Sequence, residues 1–398
     1  MSLRPLLALL ALLAAWFLAT ASASASEAKD LVVLKVGDQK KMCFIETETA
    51  DGKLLYRNTM TDKEPKSYRL NELRSWEYAE MRDGHWPKAV EARDAGNYGA
   101  AADLFNAVAV TGAKEWQKIY GAYQEGACWE LLGQWDKAAE SFARAGSVRP
   151  GHRLSVDAKY RQGFALARAK KDAEATTIAT ELEKIAKDSH NAAADLRSHA
   201  IRAALAFNAG AADVLKKEGN LANFNQRDDT DAFLQFGIFY ADALRQLKLP
   251  RDAKIQYQRL LEADLDPAEK IALALGFAKL QLDEDKPSAL ATLLRIDALP
   301  YGSADQKCEV RYLAGSLLAE EVKAARATPP SDEAAQLFAK DQERTARLLL
   351  GAAAGSSSAI QARDLAKIEL DGLGPDPEAP PKVEAKPEAP VKDANPKK

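Results

Sequence analysis

The chain has 398 residues, a formal net charge of −3 and 47% hydrophobic residues. Near-neutrality argues against a nucleic-acid footprint, which needs a basic excess, and the apolar content excludes a mostly disordered chain. Cys43, Cys128 and Cys308 are odd in number and far apart, so no disulfide framework or zinc spacing is present, although an oxidising compartment leaves a Cys43–Cys308 bridge open.

Residues 1–25 have the parts of a secretory signal peptide: Arg4, an apolar run over 6–19, and overlapping small-x-small sites ending at Ala25. The run is shorter than the roughly 20 residues of a comfortable membrane span. The expectation is an exported chain, periplasmic or secreted, beginning near Ser26, with no stable membrane span after signal cleavage. An uncleaved anchor is the other reading.

Residues 29–80 predict a small β module. Short strands fit 31–36, 41–47, 54–59 and 66–70, with a fifth around Trp76, and Gly37-Asp38 and Asp51-Gly52 supply turns. Five short strands in about 50 residues suggest a small closed or half-open barrel, and one covering the open end of a helical stack would serve as its cap.

From residue 81 the pattern turns helical. Predicted helices cover 87–95, 100–109, 116–132, 134–146, 155–169, 173–187 and 188–208, with a short return over 211–217. Residues 219–229 are polar, Asn-rich and loop-like, a candidate hinge between an array at 81–218 and a second at 230–372. In the second array Phe233, Phe236, Gly237, Tyr240 and Leu244 mark one helical face. Helices are then expected over 272–282, 287–296 and 304–327, the last stopped by Thr328-Pro329-Pro330. Ser331-Asp332-Glu333 starts the next, which runs to 350. A flexible break is expected over 351–358 and a final helix over 358–370. Residues 373–398 are rich in Pro, Lys and Glu and lack aromatics, which predicts an extended disordered tail, either a spacer or a solubilising segment.

Residues 133–150 carry the clearest pattern. Trp135, Ala138, Ala139, Phe142 and Ala145 share one helical face, with Gly133 before it and Pro150 after it. Upstream, Ile119, Ala122, Tyr123, Gly126 and Trp129 form a second such face. Residues 119–152 resemble a tetratricopeptide (TPR) repeat, a helix–turn–helix of about 34 residues, on the ordered series Gly126, Trp129, Gly133, Trp135, Ala138, Phe142, Ala145 and Pro150. Gly96, Tyr98, Ala101 and Phe105 repeat the order one unit earlier. Lys170 stands one unit later, with Gly163 and Ala175 kept and the aromatics lost. Such hairpins stack because one alone cannot bury its face. The fold class expected is therefore mainly α: a TPR-like α-solenoid of antiparallel helix pairs, preceded by a small β barrel resembling SH3-like or Sm-like modules and followed by a disordered tail.

The resemblance implies a concave groove lined by the first helix of each repeat. Here that places Tyr120, Tyr123, Ala127 and Glu130 in the best copy, and Asp157, Tyr160, Phe164 and Ala167 in the next. Tyrosines with a Phe suit protein or peptide recognition; packing against adjacent hairpins is the other reading. The Lys and Asn with which some TPR domains clamp a terminal carboxylate are replaced by Tyr123 and Ala127. His85, His152, His190 and His199 have no ligand or triad spacing, and no phosphate loop or nucleophile elbow is present. The expectation is a non-enzymatic scaffold or adaptor of the cell envelope, with protein or peptide partners, no nucleic acid and no cofactor or metal. The alternative is a cell-wall processing accessory, or an enzyme similar to the lytic transglycosylases.

Overall fold

The computed structural model describes residues 28–224, 230–265, 267–356 and 359–377. The signal peptide expected at 1–25, residues 225–229 of the expected hinge, and the tail from 378 onward lie outside the described residues. The chain is mainly helical with a small N-terminal antiparallel sheet, and it divides into two compact units, Met1–Glu269 and Lys270–Lys398. The boundary falls near the start of a helix rather than at 219–229. Lys216 and Asp252 pair across that stretch, and a Cβ on Gly219 would lie 2.4 Å from the Tyr240 ring. These contacts keep both sides in the first unit.

The sheet comprises β1 (Asp30–Leu34), β2 (Lys40–Glu48), β3 (Lys53–Arg57), β4 (Lys66–Arg69) and β5 (Leu73–Glu77). Its order is β4-β3-β2-β1-β5, all pairings antiparallel, with Val32, Cys43, Leu54 and Tyr56 in its core. Gly37 and Asp38 both take positive φ in the connection 35–39 between β1 and β2, residue types that tolerate the left-handed region. Asp30 accepts hydrogen bonds from the backbone of Ile45 and Ala79, at 2.6 and 2.7 Å, tying β1 to the 3-10 turn Ala79–Arg82 that leads into the helices.

Among the described residues of the first unit ten helices follow: α1 (His85–Asp94), α2 (Tyr98–Thr111), α3 (Glu115–Leu131), α4 (Trp135–Val148), α5 (Leu154–Arg168), α6 (Asp172–Ser189), α7 (Ala192–Asn208), α8 (Ala212–Leu221), α9 (Thr230–Gln246) and α10 (Pro250–Leu261). They form five hairpins that share one turn. Gly96, Gly133, Lys170, Gly210 and Lys248 all adopt left-handed φ, between 61° and 76°. In each case the next residue's N–H reaches back five positions, from Asn97 to Ala92, Gln134 to Trp129, Lys171 to Leu166, Ala211 to Ala206 and Leu249 to Leu244. This is the Schellman closure of a helix C-terminus.

Burial follows the same period. Seven positions before the turn stand Ala89, Gly126, Gly163, Ala203 and Ala241, all buried. Five positions after it stand Ala101, Ala138, Ala175, Leu215 and Ala253, all fully buried. Small residues seven before the turn let paired helices approach: a Cβ on Gly126 would come within 2.9 Å of the Phe142 ring, and one on Gly163 within 2.8 Å of Ile178. The single helix expected over 188–208 is instead broken. His190 takes left-handed φ, and the Asn191 side chain accepts the Ala194 N–H to cap α7.

The second unit holds α11 (Pro267–Glu284), which begins just before the boundary, then α12 (Lys286–Ala298), α13 (Ala304–Ala327), α14 (Glu333–Ala354) and α15 (Ile360–Gly372). Ile271, Leu293, Val310, Leu318, Leu350 and Ala366 lie in its core. Ser303 and Asp332 cap α13 and α14 with their side chains. The break expected from residue 351 starts later, because Leu349, Leu350 and Ala353 are buried and hold α14 helical through Gly351 to Ala354. All three cysteines are free and buried, so the Cys43–Cys308 bridge does not form.

Candidate functional site

The β module is joined to the helices through Glu48, whose side chain is fully buried. Trp76 Nε1 and the Tyr78 hydroxyl each donate to Oε1 at 2.9 Å. The Tyr120 hydroxyl of α3 lies 2.8 Å from both oxygens, and Arg153, just before α5, pairs with Oε2. Arg153 also donates to the Tyr120 hydroxyl at 2.7 Å. Backbone bonds reinforce the seam, from Ala50 N–H to Gly151 and from Arg153 N–H to Glu48. The sheet therefore seats on α3 and on the turn between α4 and α5. Burial and the neighbouring Glu48 push the Tyr120 phenol far above its ordinary range.

Beyond this seam a second polar chain runs along α3, α5 and α7. Tyr123 donates to Asp157. Asp157 pairs with Arg197 at 3.2 Å and approaches Arg161 at 3.9 Å. Arg161 pairs with Glu130 at 3.3 Å and lies over the rings of Tyr123 and Phe142. The six residues expected to line an open groove thus lie along adjoining helices, but mostly satisfy one another. Tyr120 is engaged by the β module. Tyr160 is fully buried and Phe164 nearly so, so neither offers the free ring surface expected of it; both pack against their neighbours, and Phe164 meets Phe239 of α9 edge-on at 4.9 Å. No sequence signal for Glu48 as a partner of Tyr120 had been available, because the two are 72 positions apart.

What remains open is a cleft of about 480 Å³. Ala127, Glu130 and Leu131 of α3 form one side, Trp135 starts α4, and Arg161, Phe164 and Arg168 of α5 form the floor. Gln235, Ile238, Phe239, Asp242 and Gln246 of α9 close it. Its size falls within the range of small-ligand sites, and mostly apolar walls with a few polar groups are typical of them. The Arg168 guanidinium lies between two rings, 5.1 Å from the Trp135 centroid and 5.8 Å from that of Phe239. Burial destabilises its charge, with Asp242 opposing.

Glu130 keeps 11% of its side-chain surface. Its Oε1 has no hydrogen-bond partner among the described residues. Burial pushes its carboxyl up to about 7, against the opposing pull of Arg161. Asp242, by contrast, accepts the Tyr257 hydroxyl at 2.6 Å and lies 3.7 Å from Arg245. Of the residues expected from the sequence, Glu130, Phe164 and Ala127 line the cleft. Arg161 and Arg168 were legible beside Phe164 as one helical face at i, i+3 and i+7; Phe239 lies at the edge of the stripe of Phe236 and Tyr240, its ring 6.2 Å from that of Phe236, and its approach to α5 depends on residues distant in sequence.

A second cavity of about 330 Å³ lies beside Trp86 and Trp116, at the junction of the 3-10 turn with α1 and α3. Among the described residues no helix is long and apolar enough to cross a membrane. No family model matches the chain, and no curated protein matches it.

Proposed function

We propose that this protein is a non-enzymatic scaffold or adaptor of the cell envelope, built on TPR-like hairpins, that holds a protein or peptide in the cleft between α3, α5 and α9. The five equivalent turns support the repeat reading, and with it a solenoid preceded by an SH3-like module. The observation that carries the binding reading is the cleft itself: rings of three different hairpins and an unmatched guanidinium converge on one mostly apolar recess. Export rests on the signal-like residues 1–25, and cell fractionation with residues 1–25 deleted tests it.

A photo-crosslinking residue at Leu131, exposed at the cleft rim, tests the binding reading in envelope extract, with Leu337, exposed in the second unit, as control. A discrete partner captured at 131, absent at 337 and lost on Phe239→Ala in a protein that still melts cooperatively, is the expected result. Identical capture at both positions, or none at 131, refutes the reading.

One observation favours the alternative of a cell-wall processing enzyme. A buried glutamate with its carboxyl near 7 in a cleft is also the form of a general acid. Clearing of purified peptidoglycan that disappears in Glu130→Gln would favour that reading over the scaffold.

A further inference from the structure

The charges around the cleft are matched unevenly. Glu130 has Arg161. Asp157 has Arg197 and Arg161. Asp242 has Arg245 and the Tyr257 hydroxyl. Arg168 is left over: it makes no hydrogen bond or ion pair with any described residue, and its plane is held by Trp135 and Phe239. A guanidinium stacked on rings leaves its N–H edge for a bidentate acceptor. Cationic ligands are disfavoured, because the place beside the rings is taken by a cation of the protein itself. Next to Arg168 the part-exposed walls are Phe239 and Ile238, which suit an apolar side chain.

We propose that the cleft recognises an acidic–apolar peptide segment, with an Asp or Glu carboxylate on Arg168 and the adjoining apolar side chain against Ile238 and Phe239. This rests on the binding reading above and specifies the chemistry of the partner.

The test uses the full chain and fluorescein-labelled peptides blocked at both ends, with a central Asp-Phe, Asn-Phe or Lys-Phe pair, followed by fluorescence anisotropy. The Asp-Phe peptide is expected to bind about tenfold tighter than Asn-Phe, the ratio that one charge-assisted hydrogen bond supplies, with Lys-Phe weakest. Arg168→Gln should bring Asp-Phe down to the Asn-Phe level and leave Asn-Phe unchanged. Equal affinities for Asp-Phe and Asn-Phe, preference for Lys-Phe, or no peptide binding overturns the proposal. So does competition by free 3-phenylpropionate as strong as by the peptide, which would make the ligand a small carboxylate. The comparison on the unaltered protein needs no variant, so a folding defect in Arg168→Gln does not shield the idea. Capture at Leu131 without any preference among the three peptides would leave the scaffold reading standing and remove this one.

Discussion

Two buried glutamates, one ending β2 and one near the end of α3, behave in opposite ways. Glu48 is fully enclosed and meets four donors, from Trp76, Tyr78, Tyr120 and Arg153. Glu130 is almost as enclosed but has Arg161 on one oxygen and, among the described residues, no hydrogen-bond partner on the other. A buried charge is tolerated when its lone pairs are filled. The first site is therefore a completed joint between the sheet and the helices, while the second is an unfinished one that opens on a cleft. The contrast separates structure from candidate function better than exposure does, because both sit on the same side chains that a groove reading groups together.

The largest expected effect tests the joint. Glu48→Gln removes the charge that the half-buried Arg153 needs. Breaking a fully buried pair costs about 3–5 kcal/mol, and the partial exposure of Arg153 places the loss at or below the lower end, about 2–3 kcal/mol. A chemical denaturation curve should show the loss, with Trp76 fluorescence changing at lower denaturant than the helical signal. If the midpoint stays within experimental error of the unaltered protein, Glu48 is not what fastens the sheet.

Glu130 should show its incompleteness as a pH dependence. Its folded value of about 7 lies above the ordinary 4.5, so between these limits the folded state binds more protons than the unfolded one. Its contribution is most favourable below pH 4.5, declines as pH rises to about 7, and is constant above. The slope is at most about 1.4 kcal/mol per pH unit. Glu130→Gln lacks this group, so its melting temperature relative to the unaltered protein should improve steadily from pH 5 to pH 7.5. A difference that does not change with pH would mean that Arg161 and local water satisfy the carboxylate after all.

Much of the helical pattern was legible and the site was not, for one physical reason. The hairpins are written locally: Gly133, Trp135, Ala138 and Phe142 specify a turn and the face behind it within ten residues. The turn at Gly210 follows the same geometry without the aromatics, whereas the one at Lys248 keeps Ala253 and Tyr257 at the offsets that Ala138 and Phe142 have from Gly133. At Lys170 and Lys248 even the glycine is missing, since a lysine can be held in left-handed φ by the surrounding bonds. The joint and the cleft depend on partners distant in sequence. Glu48 meets Arg153 across 105 positions, and Phe164 meets Phe239 across one intervening hairpin; local spacing encodes neither. His190 was missed for a smaller reason: a helix break written by Asn191 as a cap looks continuous when only apolar spacing is followed.

Two tyrosines give the same comparison at its finest grain. Tyr120 donates to Glu48 and accepts from Arg153, whereas the Tyr160 hydroxyl is buried without a hydrogen-bond partner among the described residues. The substitution Tyr→Phe removes one oxygen in each case and leaves the ring. At Tyr120 it strips a donor from a buried carboxylate, and a loss of about 1.5–3 kcal/mol is expected for a hydrogen bond to a charged group. At Tyr160 it removes a buried hydroxyl that has already been desolvated without recompense, so stability should stay within about 0.5 kcal/mol or rise. Paired urea titrations of Tyr120→Phe and Tyr160→Phe measure both. Equal losses at the two positions would show that the Tyr160 hydroxyl is satisfied by bound water, and that the polar chain along α3 and α5 is as complete as the joint beside it.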